Sequence, residues 1–275
     1  MGQKSYIIFL ILILQIFSSS SPKESARYIS QMTIKGTLII GAIGTDGIIL
    51  AVDSRVCIIG PDSNVIGYID SIPKLSLLND QFPIAFAGKS TIGEEFVESI
   101  IKQFNDQENR SRNVQESFID FREVLEKVDN RFSQKFIGGG YYEAKPYLFS
   151  FNNTERSADP TGFVFSEPDL APYIEKYTDR TRSCKQLGNI LEAAIYSYAQ
   201  DKKKEFEIGG PISIINVLPG NEIVWQQNNF SSRRVKNYTT FVNLIKEDKI
   251  NLTPVPGVTR EYVIRAMESN PKYKK

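Results

Sequence analysis

Apolar residues in this chain first appear as paired short runs. Residues 38–43 and 48–52 are apolar at nearly every position and flank Gly44-Thr45-Asp46-Gly47. Asp46-Gly47 is a tight-turn dipeptide, so the pattern predicts a β-hairpin; strands apolar on both sides predict a sheet covered on both faces. KLSLLND and FPIAFAG read as two more strands, separated from the hairpin by a polar loop around IGPDSNVIGYID. The period then changes. In TIGEEFVESIIKQF, Thr91 and Glu94 have capping-box spacing, and Phe96, Val97, Ile100, Ile101 and Phe104 recur at helical intervals. A second helix, capped by Asn113, carries Val114, Phe118, Phe121, Leu125, Val128 and Phe132 on one stripe. Glycines 138–140 read as the end of this helical half. PYLFSF and GFVFSE read as strands, residues 183–202 as a third helix, ISIINVL and EIVWQ as strands joined by PGN, and residues 259–267 as a short final helix. Strands grouped apart from helix pairs, with no internal repeat, predict stacked sheets covered by helices.

Composition narrows the chemistry. The chain has 275 residues, 41% of them hydrophobic, enough for one large domain, and a net charge of +1 gives no reason to expect a nucleic-acid partner. It contains no histidine and two cysteines, Cys57 and Cys184, which excludes imidazole-based triads, His-ligated metals and thiolate zinc cages; no cofactor or metal is expected. A hydrolytic nucleophile here needs a lysine, a carboxylate or an α-amine as its base. The cysteines are compatible with a disulfide or with two buried thiols.

MGQKSYIIFLILILQIFSSSSP has a short basic start, an apolar core and small serines, the pattern of a signal peptide over residues 1–21. A membrane anchor and a misplaced start codon are the alternatives, but the apolar run is short for a bilayer span, so no stable anchor is expected. Five N-x-S/T sequons, at Asn109, Asn152, Asn229, Asn237 and Asn251, are compatible with a secretory route. The expected location is the secretory pathway or outside the cell, or the cytoplasm and nucleus if the signal is not used. Residues 22–36 read as a pro-segment or linker, and 37–275 as the folded domain.

The stretch GTLIIGAIGTDGIILAVDSR holds the candidate chemistry. Cleavage between Gly36 and Thr37 would place a free α-amine on the same residue as a hydroxyl, and an α-amine with a pKa near 8 is partly neutral and basic at physiological pH. Glycine before the threonine lets the backbone approach closely. Asp53-Ser54-Arg55 stands sixteen residues further on, Lys74 follows in IPKLSLLND, and Gly88 lies fourteen residues after Lys74 in FPIAFAG.

In these residues the chain resembles the proteasome β subunits, within the N-terminal nucleophile (Ntn) hydrolases, over about residues 36–217. The resemblance implies an α+β fold, a four-layer αββα sandwich of two antiparallel sheets flanked by helices. It implies a threonine endopeptidase processed at Gly36, with Thr37 as nucleophile and Asp53 and Lys74 lowering the hydroxyl pKa. Gly88 N–H would bind the oxyanion, and Glu205 would stand where the family has an aspartate near the freed amine. Substrate contacts are implied at Arg55, Val56, Cys57, Ile72, Phe86 and Ser90, with Ser76 a further pocket position. Polypeptide substrates and a homo- or hetero-oligomeric ring of similar subunits follow from the same likeness. The chain departs from the family at Ile208, where a serine is usual, and has no G-S-G turn, Ser166 being the nearest candidate. Two alternatives therefore remain: a catalytically silent subunit or binding protein of this fold, and an Ntn amidase acting on a small amide.

Overall fold

The computed structural model describes residues 33–270 except 71, 94, 108–112, 160–161, 175–180 and 229–236, together with residue 273. The signal-peptide reading and the pro-segment up to residue 32 lie outside the described residues. In chain order the first half contains β1 (Thr33–Lys35), β2 (Ile39–Ile43), β3 (Ile48–Asp53), β4 (Val56–Ile59), β5 (Val65–Ile69), β6 (Leu75–Leu78), β7 (Phe82–Ala87), β8 (Thr91–Ile92) and β9 (Glu95–Phe96), then α1 (Val97–Asn105) and α2 (Val114–Val128). There follow β10 (Lys135–Tyr142), β11 (Lys145–Phe151), β12 (Arg156–Asp159), β13 (Phe163–Phe165), α3 (Ala171–Ile174) and α4 (Cys184–Asp201). The chain continues through β14 (Ile212–Leu218), β15 (Glu222–Gln227), α5 (Tyr238–Lys246), β16 (Leu252–Pro254) and α6 (Arg260–Glu268).

The class is α+β with antiparallel sheets. One five-stranded sheet has the order β13-β2-β3-β14-β15 and another β12-β11-β10-β7-β6. Alternation along β2 and its approach explains why the run is apolar throughout. Ile39 and Ile43 join Leu50 and Val52 of β3 against Ala85, Ile137 and Leu148 of the other sheet, while Leu38, Ile40 and Ala42 face Leu187, Leu191 and Ile195 of α4. On its other side the second sheet packs Ile84, Phe136 and Phe149 against Ile100 of α1 and Phe118 and Phe121 of α2. Asn113 caps α2 by accepting from Glu116 N–H, and Ser183 and Gln186 form a capping box on α4.

Several elements differ from the pattern reading. Glycines 138–140 do not end anything: they lie inside β10, paired with β11. A Cβ on Gly138 would stand 2.3 Å from the Phe118 ring and 2.4 Å from the Pro83 carbonyl, so the glycines let α2 and the neighbouring strand close on the sheet. Thr91 starts no helix. It belongs to the two-residue strand β8, the chain turns at Gly93 with φ +57°, and α1 begins at Val97. The polar loop around IGPDSNVIGYID contains the antiparallel pair β4–β5, extended by β1 on one side and β16 on the other. Helices α5 and α6 cover this small sheet through a cluster that includes Val56, Ile69, Phe241 and Val263. Val128, read as part of the α2 stripe, is 36% exposed.

Candidate active site

Thr37 lies two residues before β2 and Asp53 ends β3, and the antiparallel register Ile39↔Val52 brings those two strand ends side by side. Backbone hydrogen bonds then fix the aspartate. Leu38 N–H donates to Asp53 Oδ1 at 2.7 Å, and Gly209 N–H, from the turn before β14, donates to Oδ2 at 3.0 Å. Lys74, just before β6, places Nζ 3.3 Å from Asp53 Oδ1 and also donates to the Arg55 carbonyl. Both side chains are fully enclosed. Burial pushes the Lys74 ammonium below its usual range, opposed by the attraction of Asp53. Burial likewise pushes the Asp53 carboxyl up, opposed by Lys74 and by the two backbone N–H groups.

The Gly36–Thr37 junction is buried against this pair. Thr37 is 6% exposed, and its hydroxyl donates to the Gly36 carbonyl. Gly36 has φ +128° and Thr37 φ +153°. For a β-branched residue that conformation is strained, at a cost of about 1–3 kcal/mol. A Cβ on Gly36 would lie 2.8 Å from the Glu207 carbonyl and 3.2 Å from that of Arg55.

Arg55 organises the opposite wall. Its guanidinium donates twice to Asp70, at 2.7 and 2.9 Å, lies 3.9 Å from the centre of the Tyr68 ring, and donates to the Glu205 carbonyl. Arg55 N–H donates to the Gly209 carbonyl at 3.1 Å, so one residue holds both ends of the turn that supplies Gly209 to Asp53. The Glu205 side chain is exposed, and Ile208 packs into the apolar cluster beneath α4. Ser166 sits alongside the approach to β2, where its hydroxyl accepts from Ile39 N–H at 3.0 Å.

Beside Lys74 lies a recess. Val56, Ile72, Phe86 and Ser90, all substrate positions by resemblance, meet there with Pro73, Phe96, Glu98 and Phe241. Ser76 and Cys57 are absent from its lining. Cys57 and Cys184 are both buried and not joined by a disulfide. Gly88 follows β7 with φ +108°, next to Gln134, whose amide donates to the carbonyls of Lys89 and Thr91.

Thus Gly36, Thr37, Asp53, Arg55 and Lys74 come together, whereas the Glu205 carboxylate points to solvent. Three contributors escaped the sequence reading: Leu38, Asp70 and Phe241. Leu38, like Gly209, acts through a backbone N–H group, which every residue but proline carries. Asp70 lies in a stretch read as polar loop, and Phe241 in one to which no element was assigned; a 3.6 spacing of Tyr238, Phe241, Val242 and Ile245 was the available signal for α5. Among the described residues no helix is long and apolar enough to cross a membrane.

No protein-family model and no curated protein matches this chain. Among solved structures it is similar to the Anbu (Gly-1) mutant from Hyphomicrobium sp. strain MC1, at 16% identity over 78% of this chain and 93% of that one, with a TM-score of 0.57. At that identity the likeness shows the fold alone. The resemblance to proteasome β subunits read from the Gly-Thr, D-S-R and A-G motifs is corrected accordingly: short motifs at matching spacing do not carry the chain into that family.

Proposed function

We propose that this chain is a threonine-type N-terminal nucleophile hydrolase whose nucleophile is made by breaking the Gly36–Thr37 bond. The observation that carries the reading is the buried junction, with the Thr37 hydroxyl on the carbonyl it would attack and the N–H of the next residue, Leu38, on the carboxylate of the Asp53–Lys74 pair. In the first step Thr37 Oγ1 bonds to the Gly36 carbonyl carbon. The C–N bond breaks, and the hydroxyl proton passes to the departing nitrogen, which becomes the Thr37 α-amine. Water then hydrolyses the ester, leaving a Gly36 carboxylate and restoring the hydroxyl.

In the mature protein the α-amine takes the hydroxyl proton as Oγ1 attacks a substrate carbonyl, and passes it to the leaving amine. The Lys74 charge favours the alkoxide, and Gly88 N–H serves as an oxyanion donor, an interaction typically worth about 3 kcal/mol. Polypeptide substrates, a four-layer αββα arrangement of the sheets and helices described above, a ring of similar subunits and a secretory location belong to the same proposal.

Intact mass and N-terminal sequencing test it. The expected mature chain begins at Thr37, Thr37→Ala stays uncut, and a β-lactone labels Thr37. A purified chain that keeps the Gly36–Thr37 bond and takes no label overturns the reading. Ile208 favours a second reading: its apolar side chain, 6% exposed, offers no hydrogen bond to orient a freed amine. A silent protein of this fold would show that uncut, unlabelled chain.

A further inference from the structure

We infer that Asp70 is a positioning residue for the self-cleavage: through Arg55 it holds the turn 205–210, whose backbone meets both the Gly36–Thr37 junction and Asp53. The inference rests on the Thr37 reading above and concerns the step that makes the nucleophile.

Pairing of β4 with β5 brings the two side chains together. In the register Val56↔Ile69, Arg55 precedes one strand and Asp70 follows the other, so both stand at the open end of this hairpin. The guanidinium donates in a fork, Nε to Oδ1 at 2.7 Å and Nη2 to Oδ2 at 2.9 Å, and lies over the Tyr68 ring. A planar group held in this way has one orientation, and it aims Nη1 at the Glu205 carbonyl.

Two glycines let the turn lie on this ion pair. A Cβ on Gly209, at φ +148°, would stand 3.1 Å from the guanidinium carbon, and one on Gly210, at φ +68°, would stand 2.8 Å from Asp70 Oδ1. Arg55 N–H donates to the Gly209 carbonyl, and the Tyr196 hydroxyl, from α4, donates to that of Gly210 at 3.1 Å. Between these anchored ends the Glu207 carbonyl faces Gly36, 2.8 Å from the place a Cβ would take, and Gly209 N–H reaches Asp53 Oδ2 at 3.0 Å. The turn therefore backs the junction on one side and orients the Asp53 carboxylate on the other.

Self-cleavage depends on that backing. A junction held at positive φ relaxes when its surroundings give way, and with it goes the placement of the Thr37 hydroxyl on the Gly36 carbonyl. Within the turn, Glu205 exposes its carboxylate and Ile208 buries an apolar side chain, so the ionic hold comes from outside, from Asp70 through Arg55. Without the Asp70 carboxylate the guanidinium turns to water and releases the Glu205 carbonyl.

The test follows the full-length chain made by cell-free translation in a pulse–chase. Intact mass reads the fraction beginning at Thr37 in the soluble, protease-resistant material, so that each rate is that of folded precursor. Asp70→Asn is expected to slow cleavage by about tenfold or more, Asp70→Glu, which keeps the charge, to stay within about threefold of the parent, and Glu205→Gln to slow it less than Asp70→Asn does. Arg55→Lys, which keeps the charge but loses the fork, is expected to resemble Asp70→Asn. A residue that only stabilises the fold would lower the thermal midpoint and the yield of folded precursor while that precursor cleaved at the parent rate. Folded Asp70→Asn precursor that does so, or folded Arg55→Lys precursor if Asp70→Asn does not fold, overturns the positioning role and leaves Thr37 as the nucleophile. Equal losses in Asp70→Asn and Asp70→Glu, or a Glu205→Gln loss as large as that of Asp70→Asn, overturn it as well. A parent chain that is never cut overturns the Thr37 reading, and the role of Asp70 falls with it.

Discussion

Replacing Lys74 by methionine removes one buried charge and keeps most of the side-chain volume. With Nζ 3.3 Å from Asp53 Oδ1 and both groups enclosed, the attraction is about 5 kcal/mol at an effective dielectric of about 20. Desolvation of the two ions offsets much of this, but removing one partner strands the other charge, a loss of about 3–5 kcal/mol in comparable pairs. Leu38 and Gly209 N–H groups still reach Asp53, so the lower part of that range, about 3 kcal/mol, is expected for Lys74→Met at neutral pH. Urea melts on a Thr37→Ala background, where self-cleavage cannot intervene, measure it, with the slope against denaturant confirming that both proteins unfold alike.

The pH dependence has a definite sign. Asp53 is raised above its usual 3.8, so its carboxyl contributes stability that is present below that value and lost as pH rises through the folded pKa. Without the ammonium that pKa climbs further, and the cost of Lys74→Met shrinks from neutral pH towards about pH 4, where a neutral carboxyl needs no partner. A cost below about 1 kcal/mol at neutral pH, or one that stays constant down to about pH 4, refutes the argument that the pair is held as buried ions.

Two further outcomes test the packing and the buried thiol. Gly138→Ala is expected to destabilise the fold by about 3 kcal/mol or more, because the new methyl meets both the Phe118 ring and the Pro83 carbonyl; a thermal melt within a degree or two of the parent would show that α2 shifts freely. Burial, aided by Asp46, pushes the Cys184 thiol up from 9.0 to about 12. On a Cys57→Ala background, a disulfide reagent at about pH 8 should therefore react after unfolding and hardly before. The same raised pKa gives stability that is present below about pH 9 and lost as pH rises towards 12, up to about 4 kcal/mol, and Cys184→Ala should flatten that alkaline slope.

What the sequence determined by itself was local. Asp46-Gly47 between two apolar runs sets the β2–β3 hairpin, and Asn113 and Ser183 start their helices, because turn and cap geometry involve residues within a few positions of one another. That hairpin also brings Thr37 beside Asp53, since an antiparallel register follows from the turn. Long-range packing decided the rest. Glycines 138–140 look like a chain break until Phe118 and Pro83 are seen to press on them, and Thr91 pairs with Phe96 in β8–β9, which is bridged from Glu95 to the distant Asn237. The short apolar runs of β4 and β5 flank the polar connection GPDSN and read with it as loop; their pairing has a face to bury only because β1 and β16 extend the sheet and α5 and α6 cover it. Lys74 reaches Asp53, and Phe241 closes the recess, across long stretches of chain; which distant side chains share a buried space depends on how whole layers stack, and no local pattern encodes that.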